Sequence, residues 1–99
     1  MENCNLCTKT VTLDDLGRLL IPAKLRAEAG WDTASPISAT IGGNCISLSA
    51  CPDGELHLDK AGCLTLPSEM RKTLGWEKGD KIELKTNGGV IELMLVEKN

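Results

Sequence analysis

Cysteine is the residue type here whose spacing most invites chemistry, and the chain of 99 residues carries five of them. Cys4 and Cys7 stand in a C-x-x-C spacing, which lets two thiolates reach one tetrahedral zinc ion. Closing a four-thiolate site needs a second pair. Cys45 and Cys51 lack the compact spacing of a zinc knuckle. An odd number of cysteines also argues against a complete disulfide framework. The reading is therefore no metal site and no cofactor, with Cys4 and Cys7 the pair to test for zinc or for redox sensing.

His57 is the sole histidine, at the strand parity opposite Leu56 and Leu58, and no candidate nucleophile stands beside it. The carboxylates fall in turns and on polar faces, where solvated charge ordinarily sits. The chain has no phosphate-binding loop, dinucleotide fingerprint or zinc-hydrolase helix. These absences point away from an enzyme and from a small-molecule substrate. Eleven Lys and Arg against 14 Asp and Glu give a net charge of −3, with the basic residues scattered along the chain. Any DNA contact must then come from a local cluster on one face rather than from a basic tail. The N-terminal residues lack a basic stretch followed by an apolar one, and no segment has transmembrane length, so the expected location is the cytoplasm, away from membranes.

The elements that position these residues emerge from self-comparison. Gly17 matches Gly62, Pro22 matches Pro67, Arg26 matches Arg71, Gly30 matches Gly75 and Trp31 matches Trp76, each pair 45 positions apart. Leu13 with Leu58, Asp14 with Asp59, Leu19 with Leu64, Ile37 with Ile82, Ile46 with Ile91 and Leu48 with Leu93 keep the same offset. The chain is thus an ungapped duplication, about 8–51 and 53–97. Neither half buries enough apolar surface to stand alone, so the two are expected to interlock as one domain over 1–99. With no Phe or Tyr, and Trp31 and Trp76 as its aromatics, the core must be aliphatic. Cys45 and Cys51 align with Val90 and Val96, which reads them as small apolar core or edge residues.

Alternating apolar residues predict short strands over 8–13 and 53–58, with Asp-to-Gly turns ending at Gly17 and Gly62. Second strands follow through Leu19–Ile21 and Leu64–Leu66. Pro22 and Pro67 fit the first helical position, and short helices over 23–29 and 68–74 end at Gly30 and Gly75. Trp31 and Trp76 then pack back on the last helical turn. Two hairpins, 36–41 with 45–50 and 81–86 with 90–96, turn at Gly42-Gly43-Asn44 and Asn87-Gly88-Gly89. The fold class is mainly β with short helices, β-β-α-β-β twice.

The segment Leu13-Asp14-Asp15-Leu16-Gly17-Arg18-Leu19-Leu20-Ile21-Pro22-Ala23-Lys24-Leu25-Arg26, with Leu74-Gly75-Trp76-Glu77-Lys78-Gly79-Asp80 in the second copy, resembles the AbrB/MraZ/SpoVT family of swapped-hairpin proteins. The resemblance spans about residues 8–97. It implies that the two units interleave their hairpins into one pseudo-twofold β-barrel, in a tandem layout like that of MraZ-type members. It also implies a transcriptional regulator binding double-stranded DNA. Carried over residue by residue, the DNA-binding candidates are Arg18, Lys24 and Arg26 in copy one and Arg71 with Lys72 in copy two.

The chain departs from the family pattern in several places. Cys63 stands where the second turn arginine belongs, Val11-Thr12 and Leu56-His57 replace basic residues at the ends of the first strands, and Ala27 replaces a helix arginine. Arg26 and Arg71 have a structural reading beside the phosphate one, each pairing with a turn carboxylate such as Asp14 or Asp59. Arg18 has no counterpart in copy two, which favours function over framework. A basic surface this thin implies a homo-oligomer that multiplies contacts. The competing reading is a protein-interaction module, or an antitoxin-like partner-binding protein with weakened DNA binding.

Overall fold

The apolar alternation and the glycine punctuation resolve, in a computed structural model describing residues 8–32 and 35–98, into eight strands and two helices. In chain order they are β1 (Thr8–Thr12), β2 (Arg18–Leu20), α1 (Ala23–Ala29), β3 (Pro36–Gly42), β4 (Cys45–Ala50), β5 (Leu56–His57), β6 (Cys63–Thr65), α2 (Ser68–Leu74), β7 (Lys81–Asn87) and β8 (Val90–Glu97). The β-β-α-β-β order occurs twice, and the main sheet curls into a half-barrel.

The copies exchange strands. The six-stranded sheet runs β1-β7-β8-β4-β3-β5, so β1 of copy one pairs with β7 of copy two, and β5 of copy two with β3 of copy one. The remaining pair, β2 with β6, forms a separate antiparallel ribbon. Register locates the pseudo-twofold axis. Leu19 faces Leu64 in the ribbon and Ser47 faces Glu92 between β4 and β8, and in each pair the two residues are equivalents of one another.

Both helices end as their sequence predicts. Gly30 and Gly75 adopt left-handed φ of 76° and 73°, where any other residue carries a Cβ penalty. Trp31 N–H donates to the Arg26 carbonyl at 2.8 Å and Trp76 N–H to the Arg71 carbonyl at 2.9 Å, closing a Schellman motif in each copy. The Trp31 indole N–H also reaches across to the Gly89 carbonyl at 3.1 Å, tying the first copy's helix exit to the second copy's hairpin turn. Leu19, Leu64, Ile21, Leu66, Ile46, Ile91, Leu48 and Leu93 are fully buried around the axis, and burying a Leu or Ile side chain contributes about 1.5–3 kcal/mol.

Three expectations shift. Pro22 and Pro67 occupy the N-cap rather than the first helical position, because their ψ of 146° and 140° still belong to the incoming extended segment. The second strands sit one residue earlier than expected, at Arg18–Leu20 and Cys63–Thr65. The strand expected over 53–58 shrinks to Leu56–His57, because Gly54 N–H closes a turn on the Cys51 carbonyl at 2.8 Å and delays entry into the sheet.

Candidate nucleic-acid interface

Two Asp-to-Gly turns meet at the β2–β6 ribbon. In the first, Asp14 Oδ1 accepts the backbone N–H groups of Leu16 at 2.9 Å and Arg18 at 2.7 Å. In the second, Asp59 Oδ1 accepts those of Ala61 and Cys63, both at 2.9 Å. These backbone donors hold both carboxyls below the usual carboxylate range: Arg18 N–H dominates at Asp14 and Cys63 N–H at Asp59. Each turn ends on a buried glycine with positive φ, 77° at Gly17 and 88° at Gly62. The turns then lock across the axis, Leu66 N–H donating to the Gly17 carbonyl and Ile21 N–H to the Gly62 carbonyl, both at 2.9 Å.

The helix arginines complete this lock. Arg26 Nε donates to the Ile21 carbonyl at 3.0 Å, and Arg71 Nε to the Leu66 carbonyl at 3.1 Å. From there each guanidinium lies over the glycine of the opposite copy. A Cβ at Gly17 would fall 2.5 Å from Arg71 Cζ, and one at Gly62 would fall 2.9 Å from an Arg26 terminal nitrogen. Pairing of these arginines with Asp14 or Asp59 is not what the structure shows. The carboxylates are engaged by their own turns, and the arginines brace carbonyls and glycines instead.

Arg18 differs from both. Its Nε donates to Asp14 Oδ2 at 2.9 Å, a half-exposed ion pair that raises the guanidinium pKa above its usual value. Cross-strand pairing sets Arg18 opposite Thr65, and Leu20 opposite Cys63. Because Leu19 and Leu64 point inward, Arg18, Leu20, Cys63 and Thr65 make the outer face of the ribbon. The structure therefore gathers Arg18, Arg26 and Arg71 around one ribbon. Lys24 and Lys72 are exposed on α1 and α2, outside any ion pair among the described residues. The helices are unequal, since Glu69 stands at the Lys24 position of copy two and Ala27 at the Lys72 position of copy one.

Sequence reasoning missed the exposed apolar residues here. Leu16 at the first turn tip is 61% exposed and Leu20 on the ribbon 47%. The signal for Leu20 was the run Leu19-Leu20-Ile21, three apolar residues where a strand with one buried face needs only the first and third. Cys45, Cys51 and Cys63 are half-buried free thiols, and the described residues hold no group of three or more His, Cys, Asp or Glu placed for a metal ion. Cys4 and Cys7 lie outside the described residues. Among the described residues no helix is long and apolar enough to cross a membrane.

Residues 58–99 match the family described as antidote-toxin recognition MazE, bacterial antitoxin. The fold is similar to the solution structure of PHS018 from Pyrococcus horikoshii, with a TM-score of 0.50 and 19% identity over 91% of this chain and 88% of that one. No curated protein matches.

Proposed function

We propose, for a chain whose C-terminal half is a MazE-antitoxin/AbrB-like swapped-hairpin domain, that both repeats form one such domain and that the protein is a DNA-binding transcriptional regulator. The observation that carries this reading is the gathering of Arg18, Arg26 and Arg71 about the β2–β6 ribbon, on a framework made rigid by reciprocal bonds. Arg18 is the residue for base edges or for a close phosphate, since its side chain stands outside the ribbon. Arg26 and Arg71 offer their remaining guanidinium N–H groups to phosphates while holding the turns. Lys24 and Lys72 widen the attraction on either side.

The net charge of −3 disfavours indiscriminate binding, so several copies acting in the cytoplasm on neighbouring sites suit this surface better than one. If about four phosphates are neutralised per chain, log K falls against log salt with a slope of about −3.6. Fluorescence anisotropy with labelled duplex DNA measures it. No binding at about 50 mM salt overturns the proposal.

The match to an antitoxin family favours a second reading, in which the chain chiefly holds a partner protein and DNA binding is weak. A pull-down with and without nuclease separates the two, because a partner that survives nuclease treatment is held directly.

A further inference from the structure

The duplication provides an internal reference, and one strand edge fails against it. In the second copy β7 is covered by β1 over five residue pairs, from Thr8 opposite Lys85 to Thr12 opposite Lys81. The equivalent edge, β3, is covered by β5 only at Pro36 and Ile37. The chain that should continue along Ser38, Ala39 and Thr40 is diverted at the Cys51–Gly54 turn, and Gly54 lies instead against Ile37, where a Cβ would fall 2.5 Å from the Ile37 carbonyl carbon. Cys51 N–H donates to the Pro36 carbonyl at 3.0 Å, which fixes the alternation of the β3–β4 ladder. Pro36, Ser38 and Thr40 direct their backbone groups to β4, and Ala39 and Ile41 direct theirs to the open side.

A groove of about 200 Å³ runs beside this edge, lined by Ala39, Leu56, Pro67 and Met70 with Asp53 and Glu55. It too is a departure from the twin copy. Ala39 stands where copy two has the fully buried Leu84, and half-buried Met70 where copy one has the fully buried Leu25. A missing strand, a missing side chain and an uncovered helix face therefore coincide, with two carboxylates at the rim.

We propose that this edge binds an extended segment of a partner protein, antiparallel to β3, with an apolar side chain opposite Ala39 and basic side chains toward Asp53 and Glu55. Backbone pairing to Ala39 and Ile41 supplies affinity, and the groove and carboxylates supply selectivity. The twin edge shows the backbone pairing in miniature, since β1 pairs along β7 from Thr8 to Thr12, and there the fully buried Leu84 supplies from within the chain the side chain that Ala39 lacks. A second copy of this chain is the wrong occupant, because pairing two β3 edges would bring Asp53 and Glu55 of both copies into one seam.

The test uses the full chain and a synthetic peptide, acetyl-Thr-Lys-Leu-Lys-Leu-Lys-Thr-amide, followed by amide NMR shifts and by anisotropy of a labelled version. Shifts centred on Ala39 and Ile41 are expected. N-methylating alternate peptide nitrogens should abolish binding, and exchanging Lys for Glu should weaken it at least tenfold. Ala39→Leu should fill the groove, leave the thermal midpoint unchanged or raised, and cost at least tenfold in affinity. Asp53→Asn with Glu55→Gln should cost several-fold and flatten the salt dependence. No binding, shifts centred elsewhere, indifference to N-methylation, or a dimer pairing through residues 38–42 without peptide would each overturn the proposal.

Discussion

Arg71 lies over Gly17, a residue of the other repeat, at a distance that leaves no room for a methyl group between guanidinium and turn. Gly17 also carries a φ of 77°. Gly17→Ala is thus strained in its backbone and must push the guanidinium off the Leu66 carbonyl, and should destabilise the fold by about 1–3 kcal/mol in urea denaturation. Adding Arg71→Ala removes the steric part and leaves the backbone part, so the two changes should be markedly non-additive. Gly17→Ala with Arg26→Ala should be additive, because Arg26 braces Gly62 instead. Additivity in the first pair would disprove bracing across the repeats.

The missing turn arginine of copy two offers a gain-of-function test. Asp59 repeats the Asp14 turn bond for bond, so Cys63→Arg places a guanidinium on a turn already shaped to hold one. DNA affinity should rise and the salt slope should steepen by about 0.9 for the added phosphate contact. Arg18→Ala should flatten the slope by a similar amount. Both are read by anisotropy on one duplex, and an unchanged slope in both variants would remove the ribbon face from the binding surface.

Acid stability follows from the two turn carboxylates. Asp14 and Asp59 have folded-state pKa values below the ordinary 3.8, so the unfolded chain binds protons more readily. Their contribution is present in full above that ordinary value and is lost as pH falls through the depressed one. Asn at both positions keeps an oxygen acceptor for the turn N–H groups but removes the titration. Thermal melts between about pH 2 and 6 should therefore show a shallower acid decline for the Asp14→Asn/Asp59→Asn variant than for the parent. Parallel curves would mean that other carboxylates dominate.

The helices over 23–29 and 68–74 were legible because Gly-Trp marks a Schellman exit in both copies, and the hairpins because glycine pairs mark their turns. Leu56 and Leu58 alternate just as Val11 and Leu13 do, so the shortening of β5 was not legible from periodicity. It depends on where Pro52-Asp53-Gly54 turns the chain. The arginine braces were misassigned for a related reason. An unpaired reading of Asp14 and Asp59 makes them natural partners for Arg26 and Arg71, but each carboxylate is satisfied by N–H groups within four residues. The real contacts join Gly17 to Arg71 and Gly62 to Arg26, residues distant in sequence that only the exchange of hairpins brings together.

Lys98 supplies the alkaline counterpart. Asp80 is fully buried, and its Oδ2 accepts the Glu77 N–H and the Lys98 ammonium, each at 2.8 Å. Lys98 also donates to the Gly75 carbonyl at 2.6 Å, capping the end of α2. The Asp80 hydrogen bond raises the Lys98 pKa above 10.5, so its contribution is present below that ordinary value and is lost as pH rises through the elevated one. Lys98→Met removes a cation from a buried carboxylate and a donor from a helix end. The thermal midpoint at neutral pH should fall, and the alkaline decline should flatten. Pairing it with Asp80→Asn should recover part of the loss, because the neutral amide needs no cation. A Lys98→Met midpoint equal to that of the parent would show that the C-terminal strand is held by its ladders with β7 and β4 without help from Lys98.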